Sequence, residues 1–160
     1  MTPPKDEAEG ISLIATNRKA FHDYFISDKV EAGIVLKGTE VKALREGGCN
    51  LKDSYARVTP GGEAEILNFH ISPYRAGNRF NSDPTRSRRL LMHKREILKL
   101  GQKLREKGLT LVALRIYFRR GIAKLELGVG KGKAEHDKRA AIKDREGKRE
   151  AASAMKVRSR

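Results

Sequence analysis

The chain has 160 residues and is strongly basic, because 35 Lys and Arg against 20 Asp and Glu give a formal net charge of +15. This length suits one domain with tails, and the charge predicts a polyanionic partner, either nucleic acid or an acidic membrane surface. A single cysteine excludes a disulfide framework and a cysteine-rich zinc site. With no apolar run of membrane-spanning length and no secretory signal, we expect a cytoplasmic protein that does not enter a membrane.

Charge and apolar content divide the chain into three parts. We predict a flexible N-terminus over 1–11, whose first ten residues carry a net charge of −2. All Phe and Tyr residues lie between Phe21 and Phe118, which places the folded body at 12–130. Residues 131–160 carry a net charge of +6 but only three large apolar side chains, too few to offset an ordering entropy of about 1–2 kcal/mol per residue. This basic C-terminal tail is therefore predicted to be disordered alone and to fold on its partner.

The first elements of the body have clear local signals. Residues 21–37 are rich in β-forming side chains and are predicted to be a strand that bends at Gly33. Residues 39–46 carry apolar side chains three positions apart and are predicted to be a short helix, capped by Gly38 or Thr39 and ended by Gly47-Gly48.

Two short strands, 51–59 and 64–70, are predicted on either side of the turn Pro60-Gly61-Gly62. Residues 77–82 are predicted to be a loop. Asp83-Pro84 has the residue types of a helix N-cap and first helical position.

The pair at 83–84 therefore predicts a helical region over 83–107, with a break before its second half. Ile97, Leu100 and Leu104 form an apolar stripe at helical spacing in that second half. Cationic side chains surround the stripe, so this helix is expected to turn a basic face to solvent.

The body ends with a predicted hairpin, 109–119 and 122–129, turned at Arg120-Gly121. Apolar residues lie on both faces of its first strand, which is therefore expected to be central. The body is thus mainly β with two helical insertions, and short strands with glycine bends are best buried by closing the sheet. We predict a closed antiparallel β-barrel of the oligonucleotide-binding (OB) type with flanking helices.

The sequence offers little from which a catalytic centre can be built. The four histidines have no metal-binding spacing, and the pair His22-Asp23 lies in a predicted strand, where neighbours point to opposite faces. Cys49 has no local partner and is expected to be inert. Residues 128–133 superficially suggest a phosphate loop but lack the spacing and the hydroxyl of GxxxxGK[ST]. We therefore predict a protein that is not an enzyme and has no metal or cofactor.

Basic side chains are the stronger signal. Ten Lys and Arg residues over 79–107 give a local net charge of +7; they suit phosphate binding, although a solvated helix face has the same pattern. In the tail, Glu135/Arg139 and Asp144/Lys148 have the acid-first i,i+4 order that supports a helix. The residues alone predict a barrel that binds folded RNA, with a tail that either folds on binding or only confers solubility.

Several blocks of sequence, in order and at compatible spacing, are similar to one bacterial family. The blocks are Asn17-Arg18-Lys19-Ala20, His22-Asp23-Tyr24-Phe25-Ile26, Glu31-Ala32-Gly33-Ile34, Gly38-Thr39-Glu40-Val41-Lys42, Leu51-Lys52-Asp53-Ser54-Tyr55, Asp83-Pro84-Thr85-Arg86, and Lys131-Gly132-Lys133 followed by His136-Asp137-Lys138-Arg139. Together they span nearly the whole chain. The chain resembles the small protein B family, the SsrA-binding proteins of bacterial trans-translation.

The resemblance implies an OB-type barrel with flanking helices. It also implies an adaptor that binds the tRNA-like domain of transfer-messenger RNA (tmRNA) and delivers it to stalled ribosomes for rescue and peptide tagging. In that role the protein stands in for the missing anticodon arm, and its tail enters the decoding centre and the mRNA channel of the small subunit. The expected partners are tmRNA and the ribosome, and the expected state is a monomer.

Two sets of functional residues follow from the basic pattern and the resemblance. The RNA-binding set is Asn17, Arg18, Tyr24, Glu31, Lys42, Arg45, Arg86, Arg89, Leu91, Lys94, Lys131, Gly132 and Lys133. The ribosome-binding tail set is His136, Asp137, Lys138, Arg139, Ile142, Lys143, Met155 and Lys156. Glu31 is expected to pair with Lys42 or Arg45, or to accept a hydrogen bond from RNA. Tyr24 is expected either to stack on a base or to pack in the core.

Two other functions also fit a basic barrel. One is a general single-strand nucleic-acid-binding or ribosomal protein, which would not prefer a tRNA-like fold. The other is an RNA-processing enzyme, which the missing metal and nucleophile constellations disfavour.

Overall fold

The computed structural model describes residues 10–106 and 108–158. The elements in chain order are β1 (Ile11–Thr16), α1 (Arg18–Asp23), β2 (Tyr24–Ile34), α2 (Gly38–Arg45), β3 (Cys49–Asn50), β4 (Tyr55–Val58), β5 (Ala64–Leu67), β6 (His70–Ile71), a 3-10 helix (Arg75–Phe80), β7 (Arg88–Leu91), α3 (Lys94–Glu106), β8 (Thr110–Arg119), β9 (Ile122–Gly132) and α4 (Glu135–Arg158). Most of the predicted N-terminal segment 1–11 lies outside the described residues. The mainly β fold with helices is confirmed.

Seven strands form one antiparallel sheet in the order β1-β8-β4-β5-β7-β2-β9, and β8 and β9 also pair with each other. β8 is central, as predicted, because it pairs with β1, β4 and β9. The predicted final hairpin is confirmed, and its turn residues Arg120 and Gly121 have φ angles of 49° and 78°. Two positive φ angles match the turn type that follows the natural twist of a hairpin.

The hydrophobic core lies on the inner face of this sheet and is closed by α2 and α3. Leu125 and Leu127 of β9 are fully buried. Ile97 and Leu100, from the predicted apolar stripe of α3, are 7% and 5% exposed. On the other face of the sheet, Gly128 allows close packing in a second, smaller apolar cluster under α1, since a Cβ at this position would lie 2.8 Å from a methyl carbon of Leu114. The cations of α3 are left on the outside of the molecule.

The structure differs from the prediction at the start of the body. Residues 21–23, predicted to be strand, belong to α1, and the strand begins at Tyr24. β1 was not predicted. Its pairing with β8 joins residues about 100 positions apart, for example Ile11 with Arg119, so no local signal announces it.

The first half of the predicted helical region 83–107 is also different. Residues 88–91 form β7, which pairs with β2 and β5, and only the second half is the helix α3. Asp83 and Pro84 therefore start a turn and not a helix: Asp83 Oδ1 accepts a hydrogen bond from the backbone N–H of Thr85 at 3.0 Å. Asp-Pro fits both structures, and the pairing partners of β7 decide between them.

The tail contains a helix where disorder was predicted. α4 covers Glu135–Arg158, yet none of its described side chains is fully buried. Local contacts sustain it instead: Nζ of Lys148 lies 3.1 Å from the carboxylate of Asp144, the acid-first pair seen in the sequence. These pairs and a run of good helix formers favour a helix here, and disorder of the tail in the absence of its partner stays a prediction.

Candidate nucleic-acid interface

Asn17 caps α1 from a buried position, since its side chain is 6% exposed. Its Oδ1 accepts a hydrogen bond from the backbone N–H of Ala20 at 3.2 Å. Its Nδ2 donates to the carbonyls of Leu51 at 3.1 Å and Ala113 at 2.9 Å. Asn17 therefore fixes α1 to two distant parts of the chain, whereas the sequence placed it on the RNA-facing surface.

A cleft opens next to this cap. Lys19, Tyr24 and Tyr55 line it, together with Asp53. Nζ of Lys19 donates to the Asp53 carboxylate at 2.8 Å, and Tyr24 is half-buried against the small apolar cluster under α1. Arg18 is exposed in the first turn of the helix. The structure thus brings Arg18 and Tyr24 to one end of the sheet, with the tyrosine packed rather than free-standing.

α1, the end of β9 and the start of α4 meet at Asp23. The backbone N–H of Lys133 donates to the Asp23 carbonyl at 2.8 Å, and Nζ of Lys133 donates to the Phe21 carbonyl at 3.3 Å. The Asp23 carboxylate lies 2.9 Å from Nδ1 of His22 and 3.7 Å from Nζ of Lys138. The contact with His22 lowers the pKa of Asp23, and with help from nearby lysines it outweighs the opposite effect of burial. Lys133 and Lys138 therefore fix the direction in which α4 leaves the body.

The exit from β9 combines charge with an exposed ring. Lys131 and Gly132 are exposed, and a Cβ at Gly132 would meet nothing within 4 Å. Nζ of Lys133 lies 5.0 Å from the ring centroid of Phe25, which is 52% exposed and pairs with Lys131 across the strands. An aromatic face next to two lysines suits a stacked base with adjacent phosphates. Sequence reasoning missed Phe25 because the residue was considered only as one of the β-forming side chains of 21–37.

The predicted ribosome-binding residues all lie on α4. His136 is 85% exposed, with Nε2 3.3 Å from Asp137. Nε of Arg139 lies 4.0 Å from the Glu135 carboxylate. Farther along, the exposed side chains include Ile142, Lys143, Met155 and Lys156. The helix therefore presents most of this set to solvent, whereas Asp137 and Lys138 are half-buried where α4 meets the body.

Glu31 on β2 is held by residues of β8. Its Oε2 accepts a hydrogen bond from the Tyr117 hydroxyl, and its Oε1 accepts one from Nη1 of Arg119 at 3.1 Å. These partners, 86 and 88 positions away, replace the pairing with Lys42 or Arg45 that the sequence suggested. Burial, followed by the Glu31 hydrogen bond, raises the pKa of Tyr117, so this hydroxyl remains a donor at neutral pH.

One row of residues crosses the outer face of the sheet around Glu31. In register across successive strands, Leu13 faces Tyr117, Tyr117 faces Lys124, Lys124 faces Gly33, and Gly33 faces Leu91. Leu91 is 53% exposed, and a Cβ at Gly33 would lie 3.1 Å from its Cβ. We call Glu31, Gly33, Leu91 and Lys124 the Leu91 face. Sequence reasoning missed Lys124, because its place beside Gly33 depends on the pairing of β9 with β2, which is distant in the chain.

Glu40 ties α2 to the loop and strand that follow the 3-10 helix. It is 5% exposed, and its carboxylate accepts hydrogen bonds from Arg86, from Nε of Arg88 at 2.5 Å and from the Lys37 backbone at 2.9 Å. Burial alone would raise the pKa of Glu40, but these hydrogen bonds outweigh it and hold the pKa below its ordinary value. Arg88 is fully buried and also donates to the Phe69 carbonyl at 2.6 Å. Arg86, predicted to contact RNA, is thus engaged within the protein.

The other predicted cations are exposed around this cluster. Lys42 and Arg45 project from α2, and Nζ of Lys42 lies 5.5 Å from the Tyr74 ring centroid. Arg89 is 61% exposed, with a carboxylate of Glu63 3.5 Å away. Lys94 is exposed at the first residue of α3. These side chains are sterically available to phosphates.

Other chemistry finds little support in the structure. Among the described residues, no group of three His, Cys, Asp or Glu side chains is placed to hold a metal ion. Burial raises the pKa of the Cys49 thiol to about 11, so this thiol is protonated at neutral pH and a poor nucleophile. Within 10–106 and 108–158, no helix combines the length and the apolar character that a membrane crossing needs.

A protein-family model described as SmpB protein matches residues 14–157. This chain belongs to the SmpB family. The SsrA-binding protein of Carboxydothermus hydrogenoformans is 57% identical over 146 residues, which cover 91% of this chain and 97% of that protein. The SsrA-binding protein of Desulfitobacterium hafniense (strain DSM 10664 / DCB-2) is 54% identical over 143 residues, covering 89% and 91%. That of Staphylococcus aureus (strain Newman) is 56% identical over 145 residues, covering 91% and 94%.

The SmpB fold is also similar to a solved structure, described as "tmRNA-SmpB: a journey to the center of the bacterial ribosome". The TM-score is 0.65 and the identity 48%, with coverage of 80% of this chain and 93% of that chain. The family expected from the sequence blocks is therefore confirmed, together with its mainly β fold.

Proposed function

We propose that this chain is an RNA-binding adaptor that binds the tRNA-like domain of tmRNA and delivers it to stalled ribosomes for rescue and peptide tagging. The observation that carries the proposal is family membership: relatives named SsrA-binding protein are 54% and 57% identical over about nine tenths of the chain. The similar solved structure concerns tmRNA and SmpB at the bacterial ribosome. The partners are then tmRNA and the small ribosomal subunit, and the protein acts as a monomer in the cytoplasm.

The proposed tmRNA-binding residues are of two kinds: those that contact the RNA and those that hold the contacting residues in place. The contacting set is Arg18, Tyr24, Glu31, Lys42, Arg45, Arg89, Leu91, Lys94, Lys131, Gly132 and Lys133. Asn17 and Arg86 act beneath them, because their polar atoms are bonded within the protein. Glu31, oriented by Tyr117 and Arg119, offers a carboxylate oxygen to a ribose hydroxyl.

The tail mimics the anticodon arm in the decoding centre and the mRNA channel. α4 has 24 residues, enough to extend about 36 Å at about 1.5 Å per residue. His136 is positioned to stack on an rRNA base, and the tail cations to contact rRNA phosphates. Because α4 buries no apolar face, its helix is only marginally stable off the ribosome. Free protein is therefore expected to exchange between helix and disorder over 131–160.

The sheet is best described as a closed OB-type barrel over 12–130. Closure is supported by pairings that run from β8 through β4, β5, β7, β2 and β9 back to β8. A small closed barrel gives a rigid scaffold for RNA contacts from its outer face and ends. The protein itself catalyses no reaction in this role, which consists of binding and positioning RNA.

The two lysines at the exit from β9, Lys131 and Lys133, provide the test of RNA binding. Lys131→Glu/Lys133→Glu should weaken binding to the isolated tRNA-like domain by at least tenfold, since each lost phosphate contact costs roughly fivefold at about 0.15 M salt. Arg145→Glu/Arg149→Glu on the exposed tail helix is the charge-matched control and should bind normally. Truncation after Ala134 should keep binding and abolish tagging on stalled ribosomes. Equal affinity of the wild type for unstructured RNA would favour a general single-strand binder, and full tagging by the truncated protein would contradict the role of the tail.

A further inference from the structure

α3 turns a second face to solvent, opposite the one that enters the core. Ile97, Leu100 and Leu104 point inward, so positions 95, 98, 99 and 102, spaced i, i+3, i+4 and i+7, share the outward face. All four side chains there are exposed. We call Arg95, Leu98, Lys99 and Gln102 the α3 stripe.

The chemistry of the α3 stripe is unlike that of a merely solvated helix face. In the described part of the chain, no carboxylate lies within salt-bridge distance of Arg95 or Lys99, whereas Nζ of the neighbouring Lys103 lies 2.6 Å from Asp28. Leu98, which is 64% exposed, lies beside these two cations on the same helix face. A leucine flanked by cations matches a sugar–phosphate backbone, where phosphates alternate with the less polar faces of riboses.

The α3 stripe is continuous with the Leu91 face. One cleft is lined by Glu31, Leu91 and Lys124 of that face and, on the other side, by His93 and Glu96. Glu96 lies three positions before Lys99 on α3, so the two side chains are neighbours on the helix surface and the cleft reaches the edge of the stripe there. An RNA strand that leaves Leu91 toward α3 therefore passes His93 and Glu96 and then meets Lys99 and Arg95.

We propose that the RNA bound at the Leu91 face continues along the α3 stripe, where Arg95 and Lys99 contact backbone phosphates and Leu98 packs on a ribose. Gln102 donates a hydrogen bond to a phosphate or a ribose hydroxyl. The occupant is the backbone of the tRNA-like domain itself, because the stripe continues the surface to which the proposed function assigns that RNA. This extension rests on the proposed function and adds a second, sequence-independent contact region to it.

Arg95→Gln/Lys99→Gln tests the electrostatic part. Binding of full-length protein to the isolated tRNA-like domain is measured by titration between about 50 and 300 mM salt, a range over which the Debye length falls from roughly 14 to 6 Å. Loss of two phosphate contacts lowers the slope of log affinity against log salt by about 1.8 and the affinity near 0.15 M salt roughly 10- to 30-fold. Arg145→Gln/Arg149→Gln, two exposed tail cations at the same i,i+4 spacing, is the matched control and keeps the wild-type slope.

Leu98→Ser tests the apolar part independently. It should lower the affinity several-fold and leave the salt slope unchanged, and far-UV circular dichroism should show a folded protein because Leu98 is exposed. An unchanged slope and affinity in Arg95→Gln/Lys99→Gln would overturn the proposal, even if that variant bound ribosomes poorly. An equal loss in the tail control would also overturn it, since the effect would then come from net charge alone. A wild type that does not prefer the tRNA-like domain to unstructured RNA would instead overturn the proposed function, and this extension with it.

Discussion

Removal of the negative charge at Glu40 should destabilise the fold more than any surface charge change. Glu40→Gln preserves the shape of the side chain but leaves the guanidinium of Arg88, which is fully buried, without a counterion. Loss of one partner of a buried ion pair costs about 3–5 kcal/mol of unfolding free energy. For a chain of this size each kcal/mol lowers Tm by about 2–4 °C, so we expect Tm to fall by roughly 6–20 °C.

The assay is urea unfolding followed by circular dichroism at 222 nm, since the chain contains no tryptophan. The matched control is Glu65→Gln, whose partner Arg57 lies 2.5 Å away but is 58% exposed; exposed pairs contribute about 1 kcal/mol or less. In Glu40→Gln/Arg88→Met the buried charge is removed as well, so part of the stability should return. A Glu40→Gln protein within about 1 kcal/mol of the wild type would refute the reasoning, because the guanidinium would then be compensated by its carbonyl contacts alone.

The same cluster sets an acid limit. The pKa of Glu40 in the folded protein lies below its ordinary value of 4.5, so its contribution is complete above that value and is lost as the pH falls through the lower, folded pKa. The stability difference between the wild type and Glu40→Gln should therefore be constant from pH 5 to 7 and shrink below about pH 4. A difference that persists unchanged at pH 3 would contradict the assignment of a depressed pKa.

Two further substitutions test packing around α1 and β9. Asn17→Ala removes a helix cap and leaves two buried carbonyls without their donor. Urea unfolding should therefore show that the free energy of unfolding falls by about 2–4 kcal/mol. A fall below about 1 kcal/mol would mean that water replaces the amide. Gly128→Ala places a Cβ 2.8 Å from Leu114 and 2.9 Å from Ile26, so thermal unfolding should show that the protein is less stable by about 1–3 kcal/mol. Gly132→Ala is the control, because a Cβ at this position meets nothing within 4 Å. This control should melt at the same temperature as the wild type.

Local chemistry predicted the elements whose signals lie within a few residues. The β8–β9 hairpin follows from Arg120-Gly121, and the second half of the 83–107 segment follows from the helical spacing of Ile97, Leu100 and Leu104. The helix at α2 was also predicted, although its N-cap is Lys37 and not Gly38 or Thr39. In these cases the residues that decide the structure are neighbours in the chain.

Distant partners decided the rest. Residues 88–91 are a strand because β2 and β5 lie beside them, and the charge of Arg88 is tolerated in the core only because Glu40 lies 2.5 Å away. The sequence predicts an exposed polar side chain at Asn17, but its amide donates to the carbonyls of Leu51 and Ala113 inside the protein. A basic sequence pattern identifies candidate cations, but it does not separate those that face RNA from those that hold the protein together.

The central claim, that this chain binds tmRNA, is tested most directly by the RNA that accompanies the protein from its own cells. The tagged full-length protein is purified at moderate salt, and the co-purified RNA is sequenced against the total RNA of the same lysate. The account predicts that tmRNA is enriched far above every other transcript and that Lys131→Glu/Lys133→Glu loses this enrichment. Co-purified RNA that only mirrors cellular abundance, with rRNA and tRNA dominant, would contradict the claim.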